Sequence, residues 1–470
     1  MSATATTEKK YLKWYQKLAY GSGDLASNCS YGLVSSFVLL YLTGTLGLDS
    51  AIIGSLMLAS KVLDGISDVI FGTLIDRTHS KLGKARPWML FGQVGVSLCL
   101  FLLFAIPAGS TTMQYIYFFI VYTALNAVFY TANGIAYSSL VALITKNNNE
   151  RVQLGSFRFM FAVVTNIFMG FAVTGMVEKF GSGAAGWRTT ALIFAIVGLV
   201  VNTISCLAVK ELPEEELSGN TSEAAEEGKA VAEEKKHGFA ETAKILVHNK
   251  YYLMILAIYI VYYIMSNLTT GAGVFCATYY WGDGSLLGQF SMMKMFPVII
   301  ALAIAPVLIK KTGSMQKVNF WGYAISSVLG IPMIYFAMQK NLSMFLLFMF
   351  IKGIFAGTLS GSLNALIAEA GGYTTRTTGI HMDGMMYSCS SLGVKVGGGI
   401  GTAAVGWLLK LGGFVGTATV QSESAIRMIF NLYITFPFVI GIIITVLLAF
   451  LDVEKANKKW DAEHQKEAQA

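Results

Sequence analysis

The stretch KVLDGISDVIFGTLIDRTHSKLGKARPW, residues 61–88, places two carboxylates in a segment that is otherwise apolar enough to lie in a membrane. Asp64 and Asp68 are four residues apart, so on a helix their side chains share one face, about 6 Å from each other. Carboxylates this close repel each other unless a proton or a metal cation lies between them. Their oxygen ligands suit Na⁺ or H⁺ better than a transition metal. The alternative is an ion pair with Lys61 or Arg158 that only joins helices.

The composition of the whole chain indicates a membrane protein. Of its 470 residues, 54% are hydrophobic and 13% are charged, which is far from the balance of a soluble domain. A membrane-spanning helix needs about 20 mainly apolar residues. We predict an all-α membrane protein with twelve transmembrane helices, near 18–43, 51–75, 87–106, 114–144, 153–177, 189–209, 251–280, 286–309, 317–338, 342–370, 379–409 and 426–451.

A charged, Ala- and Glu-rich segment divides these helices into two groups of six. The sequence predicts an N-terminal six-helix half over 1–209, a cytoplasmic linker over 210–250, a C-terminal six-helix half over 251–452 and a cytoplasmic tail over 453–470. Two six-helix halves joined by a linker are typical of transporters that work by alternating access.

The basic residues predict the orientation in the membrane. The formal net charge is +7, and Lys and Arg cluster before the first helix, after the second helix and in the linker, whereas the loops near 44–50, 107–113 and 281–285 have none. By the positive-inside rule both termini are cytoplasmic, in a cell inner membrane or plasma membrane. The lipid bilayer is therefore an expected partner. Nucleic acid is not, because these charges occupy short loops on one side of the membrane.

Charged residues inside the apolar runs are candidates for a functional site, because each costs about 2.5 to 3.5 kcal/mol at the centre of a spanning helix and normally faces a cavity or a partner. The candidates are Asp24, Lys61, Asp64, Asp68, Arg158, Lys294, Lys352, Glu369, Asp383 and Lys395.

The second-helix stretch DGISDVIFGTLIDRTHSKLGKARPW resembles the signature of the glycoside-pentoside-hexuronide:cation symporter family, within the major facilitator superfamily. Weaker matches follow in the expected order, from AYGSGDLASN (19–28) to TTGIHMDGMMYSCSSLGVKVGGG (377–399). The resemblance implies the major facilitator fold and sugar transport coupled to Na⁺ or H⁺, with no cofactor besides that cation.

The resemblance also implies roles for residues around the second helix. Asp64 and Asp68 match the carboxylates that bind the coupling cation, which would be a metal site if the cation is Na⁺. Ser67 stands where the family often has Asn, and Thr131 matches a hydroxyl that helps to line the cation site. A cytoplasmic latch between helices is implied by Gly72, Asp76, Arg77, Gly83 and Lys84, and a solvated charged face is the alternative.

The expected sugar site departs from part of the family. Asp24 and Asn28 match the G-D-x-x-x-N form of the first helix, and Arg158 and Lys395 match basic residues near the junction of the cation and sugar sites. Some members carry sugar-binding acids at the position of Asn28 and in the fourth helix; here both acids are absent.

The missing acids leave the expected cavity more positive, which favours an anionic ligand such as a hexuronide or glucuronide. A neutral glycoside or pentoside oligosaccharide is the alternative. Its hydroxyls would be bound by polar side chains at Asn28, Asn133, Tyr137, Ser138 and Ser391.

Other function classes lack their sequence signals. The chain has no nucleophile elbow, HExxH motif or paired acids outside the second helix, so an enzyme is not expected. It has no repeated filter sequence either, and two similar halves favour a carrier over a channel. We therefore expect a secondary active sugar:cation symporter.

Overall fold

The computed structural model describes residues 9–213, 245–380, 383–418 and 420–467, and within these ranges the ordered elements are helices without any β-strand. Most of the predicted linker, residues 214–244, lies outside the described residues. The helices are α1 (Trp14–Thr45), α2 (Ser50–Asp76), α3 (Arg86–Leu103), α4 (Thr111–Ile144), α5 (Asn148–Lys179), α6 (Gly183–Leu207), α7 (Lys250–Tyr280), α8 (Leu286–Thr312), α9 (Met315–Met338), α10 (Leu342–Thr378), α11 (Asp383–Leu411), α12 (Glu423–Phe430 and Phe436–Phe450, with a π-helical turn over Asn431–Thr435) and α13 (Val453–Glu467).

Eleven helices in the described part of the chain are long and apolar enough to cross a membrane, so the predicted number of twelve is not exact. The difference lies in α2. It is 27 residues long and is not among the eleven, and it carries Lys61, Asp64 and Asp68 in its interior. The charges that single out this helix as a functional element also make it less apolar than an ordinary span.

Polar side chains cap the N-termini of several of these helices. The Asp49 carboxylate accepts hydrogen bonds from the backbone N–H groups of Ala51 and Ile52 at the start of α2. Asn147 accepts from the backbone of Glu150 in the same way at the start of α5. Such caps satisfy N–H groups that have no partner within the helix, and they fix where a span begins.

The chain forms two compact units. One contains α1 to α6 together with residues 283–288 and 409–422; the other contains the remaining parts of α7 to α13. The core of the first unit includes Tyr20, Met89, Tyr137, Leu140 and Cys206, all almost fully buried. That of the second unit includes Ile255, Tyr259, Leu366, Cys389 and Leu448.

The outer faces of the spanning helices are apolar. Val69 on α2 is 73% exposed, Phe91 on α3 is 71% exposed and Val328 on α9 is 65% exposed. Large exposed apolar surfaces are unfavourable in water and mark contact with another apolar medium. In a chain with eleven candidate spans, such faces are suited to contact with lipid.

Both units cap their third helix with a glutamate that follows their sixth helix. Glu211 accepts hydrogen bonds from the backbone N–H groups of Lys84, Ala85 and Arg86 at 2.7, 2.9 and 3.1 Å, at the start of α3. In the second unit, Glu454 accepts from the backbone N–H groups of Met315 and Gln316 at 2.8 and 3.0 Å, at the start of α9, and from the Ser314 hydroxyl. A carboxylate at a helix N-terminus is stabilised by the free N–H groups and by the helix dipole.

Candidate functional site

The segment YGSGD, residues 20–24, brings α1 close to α4 and α5. A Cβ atom on Gly21 would lie 2.6 Å from Cβ of Phe157, and one on Gly23 would lie 2.7 Å from Cε2 of Tyr137. Both distances are too short for a side chain, so only glycine permits this approach of the backbones. Asp24, the next residue, is thereby placed beside α4 and α5.

Asp24 forms an ion pair with Arg158 of α5. The guanidinium Nε lies 2.6 Å from Asp24 Oδ2, and the two side chains are 25% and 17% exposed. The pair joins α1 to α5 within the first unit. Arg158 is therefore paired with Asp24 rather than with the carboxylates of α2, which was one of the alternatives expected for it.

Two tyrosines surround this ion pair. The Arg158 guanidinium carbon lies 4.2 Å from the centroid of the Tyr137 ring, which is the geometry of a cation–π contact. The Tyr137 hydroxyl lies 3.3 Å from Asp24 Oδ2 and 2.8 Å from the Tyr20 carbonyl oxygen. The Tyr20 hydroxyl in turn donates to the Tyr137 carbonyl oxygen. The structure thus brings Asp24, Tyr137 and Arg158, all predicted from the sequence, into one cluster.

Asn28 lies one turn after Asp24 and is held by two amide hydrogen bonds. Its Nδ2 donates to the Asp24 carbonyl oxygen at 2.7 Å, and its Oδ1 accepts from Nδ2 of Asn166 at 2.9 Å. Asn166, on α5, was not predicted from the sequence, because it is uncharged and lies outside the motifs that carried the family resemblance. An uncharged amide in TNIFMG, residues 165–170, was the available signal.

Asp64 lies at the contact between α2 and α4. It is buried, at 9% exposed, and its Oδ1 accepts a hydrogen bond from the Thr131 hydroxyl at 2.7 Å. Thr131 directly follows a π-helical segment, Ala124–Tyr130, and such segments often occur at functional sites. The structure thus brings together two of the predicted cation-binding residues.

Lys61 is also part of this cluster. Its Nζ lies 3.4 Å from Asp64 Oδ2, so the ion pair expected as the alternative to cation binding is formed at Asp64. Asp68 lies one turn later on α2, partly exposed. The Ser67 hydroxyl donates to the Asp64 carbonyl oxygen at 2.9 Å, so it satisfies its own helix and not the Asp64 carboxylate. Within the described residues, no group of three or more His, Cys, Asp or Glu side chains could hold a metal ion.

Two residues of α4 that were expected to bind sugar lie apart from the Asp24 cluster. Asn133 is 2% exposed and its Nδ2 donates to the Met89 carbonyl oxygen at 2.9 Å and lies 3.3 Å from Gln93 Oε1. Asn133 therefore joins α4 to α3 in the interior of the unit. Ser138 is exposed on α4. Of the α4 residues, only Tyr137 is joined to Asp24.

The two remaining expected sugar-binding residues belong to the second unit. Ser391 is exposed on α11, and Lys395 lies one turn later and is partly exposed. Their four-residue spacing places them on the same face of α11.

The loop after α2 is held mainly by backbone groups. Gly83 has a φ of 109°, a left-handed conformation that favours glycine, and a Cβ on it would lie 2.3 Å from the Glu211 carboxylate carbon. Lys84 donates its backbone N–H to the Glu211 carboxylate. The side chains of Asp76 and Arg77 are exposed, and a Cβ on Gly72 would meet no atom within 4 Å.

Two further residues complete the connection at this loop. Arg86 Nε donates to the Cys206 carbonyl oxygen at 3.2 Å, which joins α3 to α6. Glu211 accepts the three backbone N–H groups described above. The sequence analysis did not single out Glu211, because it is one of several acidic residues in ELPEEE, 211–216, and only the fold distinguishes it from the others.

The "MFS/sugar transport protein" family profile matches residues 19–455. The chain belongs to this family. Together with its relatives, this match identifies it as a member of the glycoside-pentoside-hexuronide:cation symporters of the major facilitator superfamily, as the second-helix motif predicted.

Similar proteins extend over nearly the whole chain. An isoprimeverose transporter of Lactiplantibacillus pentosus is 26% identical over 98% of this chain and 93% of its own length. A glucuronide carrier protein homologue of Escherichia coli is 23% identical over 86% of this chain and 85% of its own. The crystal structure of a bacterial homologue of the human lysosomal transporter Spinster matches 95% of this chain and 97% of its own, with a TM-score of 0.68 at 14% identity. This likeness shows that the two chains share a fold, in agreement with the family match.

Proposed function

We propose that the protein is a secondary active symporter that moves an acidic sugar, of the hexuronide or glucuronide type, into the cell together with Na⁺ or H⁺. The observation that carries this proposal is the buried carboxylate of Asp64, bonded to Thr131 within a helix of a sugar:cation symporter family. A buried carboxylate in a spanning helix needs a compensating positive charge. A coupling cation supplies one.

The coupling cation is proposed to bind between Asp64 and Asp68. The Thr131 hydroxyl, 2.7 Å from Asp64 Oδ1, offers a third oxygen ligand. Lys61 compensates Asp64 in the present arrangement, so an arriving cation competes with an ammonium group that is already there. Binding thus releases Lys61 from Asp64 and changes the charge balance along α2.

The Asp24 cluster is close to neutral, because Asp24 and Arg158 compensate each other, and it does not repel an acidic sugar. The Asp24 carboxylate is paired with Arg158 and accepts a hydrogen bond from the Tyr137 hydroxyl. Asn28 is uncharged at a position where some other members have an acid. The cluster therefore has no unpaired carboxylate. This suits a ligand that itself carries a carboxylate. Sugar and cation then cross by alternating access, with both termini of the chain in the cytoplasm and the loop around Gly83 acting as the cytoplasmic latch.

Uptake into proteoliposomes tests the proposal. The matched substrates are 4-nitrophenyl glucuronide and 4-nitrophenyl glucoside, which differ only at C6 of the sugar. We expect accumulation of the glucuronide, driven by a Na⁺ or a pH gradient, and loss of that accumulation in Asp64→Asn and Asp68→Asn. Asp283→Asn is the matched control, because Asp283 lies in an exposed loop and accepts only a local hydrogen bond from Ser285.

Thermodynamic linkage between cation binding and sugar binding gives a second test of the proposal. A cation that strengthens sugar binding must itself bind more tightly when sugar is present, by the same factor. Full cation-driven accumulation in Asp68→Asn would falsify the proposed coupling site. Equal stimulation of sugar binding by choline and by Na⁺, at a pH where protons are scarce, would count against cation coupling altogether.

A neutral glycoside is the second candidate, favoured by the similarity to an isoprimeverose transporter. In that case Asn28 and Tyr137 would bind sugar hydroxyls. The uptake experiment separates the two: transport of the glucoside without transport of the glucuronide would support the neutral substrate and leave the cation site unaffected.

A further inference from the structure

A cavity of about 180 Å³ lies inside the second unit. Its walls come from α7, α8, α9, α10 and α12. Two lysines line it, Lys294 on α8 and Lys352 on α10, and none of the described residues that line it is an Asp or a Glu. Neither lysine has an assigned role in the family motif described above.

Lys294 is bonded only to neutral oxygens in the described structure. Its Nζ lies 3.2 Å from the hydroxyls of Thr269 and Thr270. Those hydroxyls donate to carbonyl oxygens of α7, so they accept from the ammonium group. Hydroxyls solvate the charge but do not neutralise it, and a lysine at the centre of a span costs about 2.5 to 3.5 kcal/mol. Because Lys352 on α10 lines the same cavity, the cavity carries two positive charges.

Tyr323 provides an independent sign that a polar ligand is expected. Its side chain is 2% exposed, it lines the cavity, and its hydroxyl has no hydrogen-bond partner among the described residues. A buried hydroxyl without a partner is costly, about 1 to 3 kcal/mol. The hydroxyl itself has almost no accessible surface, so a ligand oxygen in the cavity would satisfy it once the Tyr323 ring turns toward the ligand.

The rest of the lining suits a sugar. The hydroxyls of Ser266, Ser326 and Ser360 lie among apolar walls that include Phe345 and Phe438. Hydroxyls can bind sugar hydroxyls, and aromatic rings can pack on the apolar face of a sugar ring. The volume is smaller than the roughly 300 to 1,000 Å³ of pockets for drug-sized ligands, so it matches a single sugar residue.

We propose that this cavity binds the carboxylate-bearing residue of an acidic sugar, with the carboxylate between Lys294 and Lys352 and a sugar oxygen at Tyr323. This assignment rests on the proposed transport of an acidic sugar. Two ammonium groups with no carboxylate in the same cavity attract an anion strongly, since charges are screened less in the membrane interior than in water. An organic carboxylate and a free inorganic anion share this chemistry, and the experiment separates them.

The test measures ligand-dependent thermal stabilisation of the purified protein at constant Na⁺ and ionic strength, with 4-nitrophenyl glucuronide and 4-nitrophenyl glucoside. We expect the wild type to prefer the glucuronide, and Lys294→Met and Lys352→Met each to weaken glucuronide binding at least tenfold while leaving glucoside binding nearly unchanged. Lys352→Arg keeps the charge and should keep the preference. Lys311→Met, at the exposed end of α8, is the matched control. Tyr323→Phe should weaken both ligands several-fold.

Each contrary outcome has a defined meaning. If both Met variants fold, as judged by size-exclusion chromatography, and keep the wild-type preference, the assignment is wrong while acidic-sugar symport stands. A wild type with no preference for the glucuronide overturns the assignment as well, and cation-driven uptake of the glucoside would then show that symport survives. If chloride or inorganic phosphate displaces the glucuronide and stabilises the protein to the same extent, the cavity is a free-anion site and the sugar assignment fails.

Discussion

Arg158 and Asp24 are joined by a 2.6 Å contact between Nε and Oδ2, and the guanidinium group also lies over the Tyr137 ring. This places Asp24 of α1 and Arg158 of α5 in one partly buried pair rather than leaving either for the cation site. Removing one partner of such a pair leaves an uncompensated charge, whereas removing both does not.

We expect Asp24→Asn and Arg158→Gln each to destabilise the protein, by on the order of 3 kcal/mol, and the double variant to be less destabilised than the sum of the two. Thermal unfolding can be followed with a thiol-reactive dye, because Cys29, Cys99, Cys206, Cys276 and Cys389 are all buried and free. Strictly additive effects in the double variant would show that the pair contributes no coupling energy.

Thr131 is expected to determine the affinity for the coupling cation. Thr131→Val removes the hydroxyl 2.7 Å from Asp64 while keeping the shape of the side chain. Because a hydrogen bond to a charged group contributes about 1.5 to 3 kcal/mol, the apparent cation affinity should fall about tenfold or more. Thr131→Ser should restore it. If sugar uptake by the Thr131→Val variant depended on the cation as it does in the wild type, Thr131 would not belong to the cation site.

The loop between α2 and α3 should be sensitive to a single methyl group. In Gly83→Ala the new Cβ enters a left-handed conformation and meets the Glu211 carboxylate, so we expect a loss of about 1 to 2 kcal/mol and a melting temperature lower by a few degrees. Glu211→Gln should act in the same direction through the weaker cap. Glu178→Gln, at an exposed helix end, is the control; a shift as large in this variant would mean that the effect is not specific to the cap.

Asn28→Asp tests the argument about ligand charge. Asp can still accept the hydrogen bond from Asn166 but cannot donate to the Asp24 carbonyl oxygen as the Asn28 amide does, so the variant adds one negative charge and loses one hydrogen bond within α1. Like charges repel each other, and they are screened less in a partly buried site than in water. The affinity for 4-nitrophenyl glucuronide should therefore fall several-fold, with little change for the glucoside. An equal loss for both ligands would indicate a steric effect instead.

The apolar runs predicted the helices well because a spanning helix must satisfy its own backbone and present apolar side chains to lipid. The positions at which the helices begin and end depend on other contacts. The turn after α2 depends on the positive φ of Gly83 and on Glu211, a residue 128 positions later. Such long-range pairing leaves no local pattern in the sequence.

The candidate site was predictable mainly where a charge was out of place, or where the family resemblance indicated a hydroxyl, as at Thr131. Asp24, Asp64 and Arg158 stand out in an apolar run, and the structure joins each of them to a partner. Asn133 and Asn166 show the limit of this signal. Both are amides in apolar runs, yet Asn133 joins α4 to α3 and Asn166 holds Asn28. Which helix an amide faces depends on packing, and a single sequence does not contain that information.

Glu211 and Glu454 have a consequence for how the chain can be made. Each follows the sixth helix of its own unit and holds the third helix of that same unit. In each unit, a glutamate that follows the sixth helix therefore holds the start of the third helix in place. Two separately translated polypeptides, residues 1–213 and 245–470, would each keep this glutamate cap. We therefore expect a transporter assembled from two such co-expressed fragments to transport sugar.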